Sequence, residues 1–340
     1  MAVIESAPIP LTFEERIEAK LSHLPLERLN QGVVFDSSFD AELHVGALQA
    51  GEAIVCKSHL DELTHVKSHE VFPDKTIERR RSAHGVSFGR LIGFKASKKR
   101  DGNLMSVAYK PFDRAEKAIQ ELYGYRILQE LGVETFDPIG VVPSENDEGY
   151  VVITQKRDDL MSLDRDEWVV GRQPRDEREV EIAERNNTTV SEIASTLAHL
   201  HAAGVFHPDG QIKNFAVTVN GTVGVIDTEN LHVRNTDDLD NPALAWNDIQ
   251  KLTRSLILDH STEENTTGED KIFGVGMLAN MNLPQLRNAC WELIFEPYIR
   301  TLEEHIKLGE DSDYLTTLAY QLQEEFERDD HWPLNLVTSV

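Results

Sequence analysis

Five side chains, Lys110, Glu121, Asp209, Asn214 and Asp227, carry polar chemistry in settings that are otherwise apolar or turn-forming. Glu121 lies on a predicted helix whose same-face neighbours are Ala118, Tyr125 and Leu128, an apolar stripe. A carboxylate there either reaches water at the rim of the stripe or is buried beside a partner. Burial alone costs on the order of several kcal/mol. Lys110, on the preceding predicted strand, is close enough in sequence to face it. The run HPDGQIKN (207–214) puts Asp209 and Asn214 in a loop between a helix and a hairpin. Their oxygens suit a hard cation or a hydroxyl proton. Pro-Asp-Gly is also ordinary turn chemistry, so a solvated turn stands as the other reading. Asp227 closes the apolar run TVGVID, either as a loop residue or as a carboxylate projected onto a metal, with Glu229 two residues on.

The elements that must position these groups can be read from pattern. VSFGRLIGF (86–94) and LMSVAYK (104–110) read as a hairpin whose turn contains Asp101-Gly102. Asp113 and Glu116 form a capping pair for a helix that runs to Leu131 and stops at Gly132. PIGVV (138–142) and YVVITQK (150–156) are two further strands. Thr189 and Glu192 suggest a second capping box, opening a helix that ends at Gly204. Asn220-Gly221 joins FAVTV to TVGVIDT as a hairpin, and residues 243–330 are helical in pattern, with an acidic amphipathic tail at 302–332. The first 85 residues contain short apolar runs and an amphipathic stretch at 11–29, but no motif.

Taken together, the set resembles the protein-kinase-like superfamily over about residues 86–260. Lys110 in VAYK resembles the sheet lysine of V-A-x-K, and Glu121 the helix glutamate that pairs with it. His207-Pro-Asp209-Gly-Gln-Ile-Lys-Asn214 matches H-x-D-x-x-x-x-N, and Asp227 the metal-binding aspartate of the next hairpin. Asp248 in WNDIQKLTRSL resembles the aspartate that braces the catalytic loop. The resemblance implies an α+β, two-lobed kinase-like fold. Residues 1–85 would be an N-terminal extension, 86–156 a small antiparallel β N-lobe with one helix, and 157–340 a mostly helical C-lobe. It further implies ATP and Mg²⁺ as cofactors: Lys110, held by Glu121, on the α/β-phosphates, Asn214 and Asp227 on the metal, and Asp209 on the acceptor hydroxyl. His207 is read as a packing and hydrogen-bonding residue of the loop.

Departures from that pattern narrow the expected activity. Gly85, Gly89 and Gly93 are spaced by four, unlike G-x-G-x-x-G, and serve strand packing or a bulge as readily as phosphates. Arg79, Arg80, Arg81 and Arg90 are a solvated basic face or an approach to phosphates. Pro208 replaces the arginine of many regulated protein kinases, and Asp248 follows Asp227 by only 21 positions. This shortness resembles aminoglycoside, choline and lipopolysaccharide-core kinases and the RIO-type atypical kinases. The resemblance therefore implies phosphoryl transfer to a hydroxyl, on a small molecule or sugar in preference to a regulated protein site. Gly210 beside Asp209 would leave room for such an acceptor. The rival readings are a silent nucleotide-binding pseudokinase regulator, with 1–85 as a contact for a protein partner, and an atypical protein kinase.

Composition supplies the exclusions. With 34 Lys+Arg against 59 Asp+Glu, the 340-residue chain has a net charge of −25, which argues against nucleic acid bound through its backbone. No apolar run suits a membrane span, and the N-terminus lacks a signal-peptide pattern. Cys56 and Cys290 fit no metal or redox spacing, so a reducing cytoplasm is the default location. His59, His65, His69 and His84 match no structural zinc spacing, and His199 and His201 point to different faces of their helix.

Overall fold

A computed structural model describes residues 24, 26–35, 39–59, 71–73, 87–92, 104–144, 149–155, 157, 159–162, 177–234, 241–257, 282–328 and 332–333. The chain divides into two units, Met1–Arg126 with Phe136–Arg157, and Ile127–Thr135 with Asp158–Val340. Both helices and sheet are present, so the class is α+β.

In chain order the first unit contains β1 (Val33–Phe35), α1 (Ala41–Gln49), β2 (Ile54–Cys56), β3 (Val71–Pro73), β4 (Ser87–Ile92) and β5 (Leu104–Phe112). Next come α2 (Ala115–Glu130), whose last residues from Ile127 belong to the second unit, β6 (Asp137–Pro143) and β7 (Tyr150–Gln155). The seven strands form one sheet in the order β1-β2-β6-β7-β5-β4-β3. The sequence predicts a small antiparallel sheet; the observed one is larger and mixed. β1 and β2 run parallel, and β2 then pairs antiparallel with β6. The parallel pair follows from its connection, because α1 carries the chain back to the starting end before β2 begins. Residues read as an extension thus supply three strands of the sheet, β1, β2 and β3. They are three residues each, too short to show a period.

Both faces of this sheet are covered, and alternation along the strands sorts residues between them. Val107, Tyr109, Ala53, Val55 and Ile153 pack with Leu24, Leu26 and Leu29. Phe112, Ile54, Cys56, Val141 and Val152 pack instead with Ala118, Ile119, Leu122 and Tyr125 of α2. Close approach limits Gly140 to glycine, since a Cβ there would lie 2.3 Å from the Ile54 carbonyl oxygen. α2 ends as predicted at Gly132, whose φ is 72°. Val133 N–H donates to the Leu128 carbonyl across the turn at 2.8 Å, a Schellman arrangement.

The second unit contains β8 (Leu160–Ser162), α3 (Glu177–Ala202), β9 (Val205–Phe206), β10 (Phe215–Thr218), β11 (Val223–Val225) and β12 (His232–Val233). The helices α4 (Asn241–Ile257), α5 (Leu283–Cys290), α6 (Glu296–Lys307) and α7 (Ser312–Arg328) follow. α3 starts earlier than the Thr189 capping box predicts. Thr189 lies inside the helix, and its hydroxyl donates to the Arg185 carbonyl at 2.9 Å. The buried stripe Val190, Ile193, Ala194, Leu197, Ala198 and His201 faces the core, against α4 residues Ala245, Ile249, Leu252 and Leu256. β10 and β11 pair antiparallel around Asn220-Gly221 as expected, with Gly221 at φ 87°. β8 adds a third strand beside β10.

Candidate active site

In the first unit, alternation along β5 turns Lys110 and Phe112 to the face that α2 covers. Glu121 is fully buried on that helix, among Ala118, Leu122 and Tyr125. Its Oε1 accepts from the Lys110 ammonium at 3.0 Å and from the Tyr125 hydroxyl at 2.5 Å. The ammonium also lies 5.2 Å from the centre of the Phe112 ring. Of the two sequence readings of Glu121, the buried and paired one is observed. Tyr125 reaches the same oxygen because a residue four positions on lies one turn along the same face. Sequence reasoning counted Tyr125 only as stripe. The result is a cation held at a fixed point by a carboxylate that is itself held, a sound anchor for an anionic ligand.

In the second unit, residues 207–214 form a tight loop ending in a 3₁₀ turn at Ile212–Asn214. Asp209 is half-buried. Its Oδ2 accepts from the Asn214 amide at 2.8 Å, and its Oδ1 from the Gln211 amide at 2.5 Å. The Asn214 amide also donates to the Asp209 carbonyl at 2.6 Å. With its protons directed at Asp209, Asn214 has its side-chain oxygen left for a cation.

The loop is pinned to α4 at three points. The His207 N–H donates to Asp248 Oδ2 at 2.7 Å, and the Ile212 N–H to the Ser255 hydroxyl at 3.0 Å. Between them Gly210 is buried, and a Cβ there would lie 3.2 Å from the His207 carbonyl oxygen and 3.3 Å from that of Asp248. A side chain at Gly210 would crowd both the loop's own backbone and that of α4.

Asp248 belongs to a buried network that the sequence only half indicated. Its Oδ2 is also 3.0 Å from His201 Nε2, and His201 Nδ1 is 2.6 Å from the Tyr298 hydroxyl of α6. The Tyr314 hydroxyl of α7 donates to the His201 carbonyl at 3.2 Å. His201 and Tyr298 were missed. The available signal was a histidine on an apolar stripe, which demands a buried partner. His199 does face elsewhere, toward His305 and the Leu131 carbonyl. The ring of His207 is buried against Phe215, and neither nitrogen makes a hydrogen bond of good geometry. Burial pushes its pKa below the usual 6.5, against the pull of Asp248, Asp227 and Asp209.

Asp227 is brought beside Asn214 by the β10–β11 register. Phe215 pairs with Val225, and the Ile226 N–H donates to the Asn214 carbonyl at 2.9 Å, so Asp227 is the next residue. β11 is braced by the Thr135 hydroxyl on the Val225 carbonyl, at 2.6 Å. Among the described residues, no group of three or more His, Cys, Asp or Glu could hold a metal.

Gly89 lies in β4 opposite Pro73 and Val107, and Arg90 in the same strand opposite Phe72 and Ser106. Gly85, Gly93 and Arg79–Arg81 lie outside the described residues, as do His65, His69 and His84. His59 Nε2 is 3.1 Å from Asp137 Oδ2. No helix among the described residues is long and apolar enough to cross a membrane. No protein-family model matches the chain, and no curated protein matches it.

Proposed function

We propose that the protein is an ATP- and Mg²⁺-dependent phosphotransferase of the kinase-like kind, moving the γ-phosphate to a hydroxyl on a small molecule or sugar. The observation that carries this reading is the state of Asp209, a carboxylate oriented by Asn214 in a loop pinned to α4 through Asp248. Such a group suits a base that must wait at one position for a hydroxyl proton. The buried Lys110–Glu121 pair supports it independently, as an anchor for the α/β-phosphates. Asn214 and Asp227 would hold the divalent ion, which supplies charge neutralisation on the phosphates. Asp209 would orient the acceptor hydroxyl and take its proton. The short span between Asp227 and Asp248 supports a small acceptor over a docked peptide.

The test is incubation of the full chain with γ-labelled ATP and Mg²⁺ against a metabolite extract and, separately, a protein extract. Label is expected in the metabolite extract. Asp209→Ala should lose transfer yet keep ATP binding, whereas Asp227→Ala should weaken Mg-ATP binding itself. Turnover by Asp209→Ala at the wild-type rate refutes the reading. Label in the protein extract alone would favour an atypical protein kinase. Thermal stabilisation by Mg-ATP without product from either extract would favour a silent regulator.

A further inference from the structure

His199 and His305 take no part in the proposed phosphate transfer, yet all four of their ring nitrogens have a partner. His199 Nε2 is 2.9 Å from the Leu131 carbonyl, and His305 Nδ1 is 2.6 Å from Glu310 Oε2. A carbonyl and a carboxylate only accept, so these two nitrogens carry the ring protons. In neutral rings the remaining nitrogens, His199 Nδ1 and His305 Nε2, therefore carry lone pairs. They lie 3.0 Å apart with ring centres 5.0 Å apart, so the rings meet nitrogen to nitrogen. Two lone pairs at that distance repel unless a cation lies between them. Local structure fixes each member. Leu131 follows the last turn of α2, where carbonyls lack a partner within the helix. α6 stops at Lys307, Gly309 takes φ 85°, and the Glu310 N–H donates to the His305 carbonyl at 3.2 Å, which folds Glu310 back onto His305. α3 and α6, which carry the histidines, pack directly on each other.

We propose that His199 Nδ1 and His305 Nε2 bind a divalent transition-metal ion of the Ni²⁺ or Cu²⁺ kind, with water in its other positions. Imidazole nitrogens suit these ions. Histidines that bind metals donate their other ring N–H to a carboxylate, a backbone carbonyl or water, and here His305 has the first and His199 the second. Metal–nitrogen bonds of about 2.0–2.1 Å to two atoms 3.0 Å apart meet at about 90–100°. That is close to the right angle of square-planar or octahedral coordination, and narrower than tetrahedral Zn²⁺ prefers. The side chains of His305 and Glu310 are 12% and 50% exposed, so an ion can enter from solvent. A net charge of −25 favours the approach of a cation. The bound ion clasps α6 to α3, and the proposal stands apart from the phosphotransferase reading.

The test is calorimetric titration of the full, untagged chain with Ni²⁺, without nucleotide or Mg²⁺, together with the electron paramagnetic resonance spectrum of the Cu²⁺-loaded chain. One equivalent of Ni²⁺ should bind ahead of any other, and the Cu²⁺ spectrum should show splitting by nitrogen. Ni²⁺ should also raise the urea midpoint, because the site exists only in the folded chain. His199→Gln and His305→Gln should each lose that equivalent, the nitrogen splitting and the rise in midpoint. His232→Gln, at an exposed histidine, should keep all three. Glu310→Ala leaves both ligands in place and should weaken Ni²⁺ binding about tenfold, the effect of losing a group that orients a ligand. Its urea midpoint without metal should stay at the wild-type value, so a change in affinity is not a failure to fold. A wild-type chain that binds no such equivalent overturns the site. So does an equivalent that survives unchanged in either histidine variant, which would put the ion elsewhere. Should a histidine variant not fold, Glu310→Ala decides: Ni²⁺ bound as tightly as by wild type overturns the proposal.

Discussion

Replacing Asp248 by alanine should release the 207–214 loop and cost the second unit a large part of its stability. The carboxylate is fully buried, and its Oδ2 accepts from the His207 N–H at 2.7 Å and lies 3.0 Å from His201 Nε2. Alanine strands both groups. Each buried donor left without a partner costs about 1–3 kcal/mol, so the loss should be about 2–6 kcal/mol. A water entering the vacated space would satisfy part of this and move the result toward the lower end. Against the ~5–15 kcal/mol that holds a typical domain together, even that lower figure is readily measured. Asparagine keeps an oxygen for both donors but puts an amide where Oδ1 now has no hydrogen-bond partner. It strands one group and should cost less, about 1–3 kcal/mol. Urea denaturation followed by tryptophan fluorescence reads the right unit, because three of the four tryptophans report on it: Trp332 lies in its core, and Trp246 and Trp291 pack against that core. A loss under about 0.5 kcal/mol for Asp248→Ala, the size of an ordinary surface substitution, would refute the bracing role. So would an asparagine variant less stable than the alanine one.

Two further outcomes follow from burial. His207 has a pKa held below 6.5 by burial, so below that pH the unfolded chain takes up a proton that the folded unit refuses, and stability should fall as pH drops. The urea midpoint should decline between about pH 7.5 and about pH 5.5, and His207→Phe should flatten that decline; an unchanged slope would count against the assignment. The Cys56 thiol is pushed far up by burial and that of Cys290 up to about 12. A disulfide reagent should therefore find no reactive thiol in the native chain and two after unfolding, and fast native labelling of either would contradict their placement.

Much of the site was legible because its signals are local. Glu121 on an apolar stripe demands a partner, and Lys110 stands on the strand that precedes its helix. Asn214 and Asp227 flank a hairpin whose Asn-Gly turn sets the register, so their adjacency is already implied by chain order. The stop at Gly132 is a one-residue matter of backbone freedom. By contrast, the Thr189 capping box misled, since the same residue types occur within helices when a hydroxyl bonds back one turn.

What the sequence by itself determined was therefore the set of chemical groups, their order, and those pairings carried by a single helix face, turn or hairpin. Only the tertiary structure decided the rest, and the reason is the same each time: the partners are far apart along the chain and the elements that carry them are short or apolar. β1 and β2 acquire strand character by pairing, β1 with β2 and β2 with β6, not from any period of their own. His201, Asp248 and Tyr298 come from three different helices and meet through packing that no local pattern encodes. Gly210, which by sequence reads as room for an acceptor, lies close against the backbone of α4, a contact no local pattern shows.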